Sequence, residues 1–131
     1  MPSEPSNSRL CNQVQSLLQG LGELHRLLAL TEGTAPQPLD TVAVEQQVAQ
    51  LQQRFQQILA TVAQVDLAPA VEQRLRPHQT EAHRRSRLLG IETMRLKTAK
   101  QAVTLERQRS QLKTHTSALQ QFAQAMADEL C

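Results

Sequence analysis

Histidines, acidic residues and cysteines are the side chains of this 131-residue chain with most capacity for chemistry, and their spacing argues against catalysis. A di-metal centre in a helical protein needs inward Glu residues and Glu-x-x-His pairs, which place both ligands on one helix face. Here Glu23 lies two residues before His25, and Glu81 two before His83, which is the wrong spacing. Among His78, His83 and His115 no pair stands at i, i+4. His78 falls on the apolar stripe of its helix and reads as a half-buried packing residue rather than a ligand. No Gly-rich loop precedes a Lys, and no GxSxG occurs, so neither a phosphate cradle nor a nucleophile elbow is expected. The cysteines are Cys11 and Cys131, with no CxxC. Two cysteines do not make a disulfide framework, so a reducing setting with free thiols is expected; a Cys11–Cys131 bridge, which requires the two ends of the chain to meet, is disfavoured. The expectation is a non-enzymatic protein with no catalytic, cofactor or metal residues.

The remaining chemistry is charge. The formal net charge of +2 conceals an asymmetry. Residues 1–73 carry three basic and seven acidic side chains, while residues 74–113 carry eleven basic and three acidic ones. The densest part is Arg84-Arg85-Ser86-Arg87, with Arg74, Arg76, Arg95, Lys97 and Lys100 around it. One account is a solvated helix face whose field is softened by acidic neighbours; another is a basic face that meets an acidic partner. The alternative function is a structural or nucleic-acid-binding helical protein that uses this Arg-rich third helix; its nucleic-acid form is disfavoured, because aromatics are 2% of the chain, so stacking platforms are missing, and no helix-turn-helix pattern stands out.

The elements that position these residues are helices. Leu and Gln each occur 20 times and Ala 15 times, whereas Val and Ile together number ten. That composition favours helix over strand. Residues 1–7 read as a disordered tail, with Ser6 or Ser8 able to cap the helix that follows. In that helix Leu10, Val14, Leu17, Leu21, Leu24 and Leu28 step by 4, 3, 4, 3 and 4, a heptad seam. Gly20 and Gly22 weaken it unless they admit a close neighbour. The stretch 31–40 then breaks the pattern, with Gly33 as a stop and Pro36 and Pro38 blocking continuation.

A second helix starts at Asp40 or Thr41. Val44, Val48, Leu51, Phe55, Ile58, Val62 and Val65 form its stripe, with Gln46, Gln47, Gln50, Gln52, Gln53, Gln56 and Gln57 between them on the solvent side. Pro69 ends this helix and suits the start of a third, over about residues 70–101. The third stripe is Val71, Leu75, Ala82, Leu89, Leu96 and Val103, with Pro77 either in the first turn of the main helix or kinking it. The fourth helix, about 104–130, carries Leu105, Leu112, Leu119 and Met126, with Thr116, Ala123 and Leu130 in the alternate slots. No Pro or Gly separates the last two helices after Gly90, so they are continuous or bent near Ala102–Thr104, with Thr104 as a cap.

Four helices with one apolar stripe each must bury those stripes together. Short connections favour antiparallel neighbours, so the expected fold is an all-α, up-down-up-down four-helix bundle over residues 8–131. A flatter antiparallel coiled coil completed by dimerisation is the alternative, so a homodimer stays open. No apolar run approaches the ~20 residues of a membrane span, and MPSEPSNSR has no basic n-region or apolar h-region. The expected setting is cytoplasmic, without membrane contact.

The third helix also carries a second face. At about 100° per residue, Leu75, Ala82, Leu89 and Leu96 fall on the core side. Arg84, Arg87, Leu88, Ile91, Met94 and Arg95 fall on another, with apolar residues set among arginines. Arg and Met are enriched at protein–protein interfaces. This face is either a widened core arc or a partner or dimer surface.

The segment 78–104, HQTEAHRRSRLLGIETMRLKTAKQAVT, resembles the centre of the cyanobacterial heterocyst-frequency control protein PatD family. The shared features are Gln79-Thr80-Glu81, Arg87-Leu88-Leu89-Gly90, the acidic Glu92, then Met94, Leu96 and Ala99. The Leu-Ala-Pro step at 67–69 and the Gln-rich second helix also fit. The chain departs from the family pattern at His78, Ser86, Arg95 and Ala102 or Val103. The resemblance implies a small regulator without enzyme activity that tunes heterocyst frequency, linked to cell division through the tubulin-like GTPase FtsZ.

Overall fold

Heptad stripes bury themselves by pairing, and four of them close on one another in a ring. The computed structural model describes residues 4–29 and 39–131, with side chains from residue 7 onward. It contains α1 (Glu4–Ala29), α2 (Thr41–Gln64), α3 (Pro69–Thr98) and α4 (Ala102–Leu130). α1 packs on α2, α2 on α3 and α3 on α4, and α4 closes the ring on α1. The directions alternate: the start of α1 lies beside the end of α2 (Gln13 to Thr61), and the start of α3 beside the end of α4 (Arg74 to Glu129). This is the up-down-up-down bundle, and no strand occurs among the described residues.

The α1 stripe is buried whole, from Leu10 to Leu28. In α2, Val44, Val48, Leu51, Phe55 and Ile58 are buried, but Val62 and Val65 only partly so. Thr61 takes the inner position there; its hydroxyl donates to the Gln57 carbonyl and accepts from Gln13, so the polar group is buried with its partners. In α3 and α4, Leu75, Ala82, Leu89, Leu96, Leu112, Thr116, Leu119, Ala123, Met126 and Leu130 are buried. Val103 does not continue the α3 stripe: it is 70% exposed, because the chain has reversed before it. Val71 and Leu105 pack at the core margin.

Helix boundaries follow local chemistry. Asp40 caps α2 by accepting from the Ala43 N–H at 3.0 Å. Pro69 is at the first position of α3, where its missing N–H costs nothing. Pro77 is interior to α3 rather than in its first turn, and the helix runs through it. The last two helices are separate. Their break is at residues 99–101, earlier than Ala102–Thr104, and Gln101 rather than Thr104 is the N-cap. Arg95 and Lys97 suit the carbonyl end of α3. α1 begins at Glu4, so of the expected tail residues 4–7 are helical, and residues 1–3 lie outside the described residues, as do Gly33, Pro36 and Pro38.

Cys11 and Cys131 are paired in a disulfide, with Cα atoms 5.3 Å apart. The antiparallel α1–α4 seam brings the start of one helix to the end of the other, which is the condition the pairing needs.

Candidate docking face on α3

The Arg84–Arg87 run does not form one patch, because a helix sends successive residues to different sides. Arg84 and Arg87 are exposed, while Ser86 is buried in the core. Arg85 turns toward α4 and donates to Nδ1 of His115 at 3.0 Å. That bond requires the neutral imidazole. Burial holds the His115 pKa below its ordinary value, the Arg85 and Arg84 charges push it further down, and Glu92 partly offsets them. One of the three arginines of the run therefore belongs to packing between α3 and α4.

The other two arginines face solvent. Ile91 is 43% and Met94 69% exposed, and Leu88 is half-buried beside them. Arg84, Arg87 and Arg95 are exposed around these apolar side chains. Arg95 is held by Glu92 at 2.8 Å, whose carboxylate is buried with its second oxygen unpartnered. Arg84 lies 3.8 Å from Glu81, and Arg87 has no carboxylate within bridging distance among the described residues. All six residues that the sequence places on the second face thus come together on the outer side of α3, outside the core.

Two further exposed apolar residues lie at one end of the bundle. Lys97 pairs with Glu45 at 2.9 Å, which fixes the end of α3 beside the start of α2. The exposed Val42 and Val103 lie at that same end, in the first turns of α2 and α4. Single exposed apolar residues are ordinary, but Ile91 and Met94 set among Arg84, Arg87 and Arg95 on one helix face have the composition of a recognition surface.

Sequence reasoning misses a set of polar links that fix the helices. Gln47 donates to the Gly20 carbonyl and Arg54 to the Ser16 carbonyl, each at 3.0 Å, tying α2 to α1. Gln52 donates to the Ser86 carbonyl at 3.1 Å, tying α2 to α3. Gln46, Gln50, Gln53, Gln56 and Gln57 are exposed as the heptad predicts. Gln47 and Gln52 sit at the edges of the stripe, and that flanking position is the signal in the sequence. Arg109 is buried, pairs with Glu106 and donates to the Leu28 carbonyl at the end of α1. His83 is a packing residue, its ring 5.9 Å from that of Phe55.

Among the described residues, no group of three His, Cys, Asp or Glu side chains is placed to hold a metal ion. No described helix is long and apolar enough to cross a membrane. No protein-family model, characterised protein or solved structure matches the chain.

Proposed function

We propose that this is a non-enzymatic regulatory module that binds an acidic protein partner through the outer face of α3. The observation that carries the reading is the exposure of Ile91 and Met94 within a frame of Arg84, Arg87 and Arg95. An apolar centre loses water on binding, and the surrounding cations orient an acidic partner and speed its encounter. The resemblance to the PatD family supplies the partner of choice, the tubulin-like GTPase FtsZ, and a role in cell division or heterocyst frequency in a cytoplasmic setting. A second copy of the chain is a poorer occupant, because a two-fold contact through this face sets arginines against arginines.

Co-sedimentation with assembled FtsZ tests the reading. The protein is expected to pellet with the polymer and to be released progressively as salt rises, as screening predicts. A duplex DNA of random sequence at low salt is the control. Binding to DNA with a steep salt dependence, and no pelleting with FtsZ, overturns the proposal.

A further inference from the structure

We propose that the Cys11–Cys131 disulfide is a thiol–disulfide exchange site that a dithiol reductant opens, and that it acts as a latch on the α1–α4 seam. This inference stands apart from the docking face, which lies on the outer side of α3.

The bridge joins the chain's only cysteines, 120 residues apart in sequence, and so closes nearly the whole chain into one covalent loop. Cross-links over long loops restrict the unfolded chain most. Its two sulfurs are not equivalent. Cys131 is exposed at the C-terminal end of α4, whereas Cys11 is half-buried against the core within α1. An open cleft of about 390 Å³ lined by Asn7, Ser8, Asn12 and Leu130 borders both. A reductant's thiolate therefore approaches the bridge from the side of Cys131, the more exposed residue of the pair. The negative end of the α4 dipole also disfavours a thiolate on Cys131, so Cys11 is the better leaving group.

The exchange balances without any other reagent. The first thiolate of the dithiol bonds to Cys131 Sγ, the Cys11–Cys131 bond breaks, and Cys11 leaves as thiolate and takes a proton. The second thiol of the reductant then attacks its own bound sulfur and releases the Cys131 thiol. The protein gains two electrons and two protons, and the dithiol becomes a disulfide. In a compartment that keeps thiols reduced, pairs of this kind are opened and closed rather than permanent.

What the latch holds is local. Without it, the last turn of α4 is held by burial of Met126, Ala127 and Leu130 and by the Arg74–Glu129 pair. The central links of α2 to α1 and α3 run through Gln47, Gln52 and Arg54 and do not depend on it. Reduction should loosen the start of α1 and the end of α4 while the rest of the bundle stays folded.

The test uses the full chain, oxidised with glutathione disulfide and then treated with dithiothreitol. Thiols are counted by alkylation and mass, and backbone protection by hydrogen exchange. Oxidised monomer should show no free thiol and reduced monomer two. Exchange should rise most over residues 126–131 and the first turns of α1, and least over residues 41–64. The melting temperature should fall on reduction by on the order of 10 °C. The Cys131→Ser variant should melt like the reduced native protein under both conditions. Two free thiols after oxidation, a disulfide between chains, an unchanged melting temperature or uniform loss of protection would each overturn the proposal.

Discussion

The side-chain amide of Gln52 donates to the main-chain carbonyl of Ser86 at 3.1 Å, and it passes over Gly90, where a Cβ would overlap its nitrogen. The bond couples α2 to α3 on the flank of the core and exists because residue 90 has no side chain. Gly90→Ala therefore displaces a flexible amide and loses about 1 kcal/mol of hydrogen bonding, against about 1 kcal/mol of better helix propensity. The net change in unfolding free energy should be small. Gln52→Ala should cost about 1 kcal/mol in the native background and close to nothing beside Gly90→Ala. Additive losses in urea titrations of the four proteins would remove this coupling.

The two glycines of α1 should respond in opposite directions. A Cβ on Gly20 would lie 2.8 Å from Leu51 Cδ2 and 2.6 Å from an Arg54 nitrogen, and Leu51 is fixed in the core. Gly20→Ala is expected to destabilise by about 1–3 kcal/mol through overpacking. A Cβ on Gly22 meets nothing within 4 Å, so Gly22→Ala should stabilise by roughly 0.5–1 kcal/mol. Denaturant midpoints that move the same way for both would contradict the packing described.

Stability should fall as the solution is acidified below neutrality, through His115. Its folded pKa lies below its ordinary value, chiefly from burial and then from Arg85. The unfolded chain then binds the proton more readily than the folded one. The stabilisation is complete above the unfolded pKa of about 6.5 and is lost as pH falls from there toward the folded pKa. His115→Gln keeps an acceptor for Arg85 but cannot titrate. It should flatten this part of the profile in urea midpoints measured between about pH 7.5 and 5. An identical decline in both proteins would place the effect elsewhere.

The bundle was legible in the sequence because its seams are written in Leu and Val at heptad spacing, from Leu10 to Leu28 and from Val44 to Ile58. The outer face of α3 was legible for the same reason: Leu88, Ile91 and Met94 break the polar side of a wheel whose core side is already filled. The α3–α4 boundary was harder to read. With no Pro or Gly there, the turn at 99–101 is set by the need to fold Leu112 and Leu119 back onto the bundle, which is a tertiary demand. Arg85 reads in the sequence as part of a basic surface, because its partner His115 is 30 residues away. The Gln and Arg links to helix carbonyls escaped notice because a periodicity cannot show which polar residue at the edge of a stripe reaches across.

Whether the α3 face binds a partner is decided most directly by the Ile91→Asp variant, read for stability and for affinity to FtsZ on the same sample. Ile91 is exposed, so the substitution should change unfolding free energy by no more than about 0.5 kcal/mol, as on an ordinary surface. A carboxylate at the centre of the face should nevertheless weaken FtsZ binding by about tenfold or more. Native affinity in the variant would contradict recognition through this face, and a collapse of its melting temperature would mean that Ile91 serves packing.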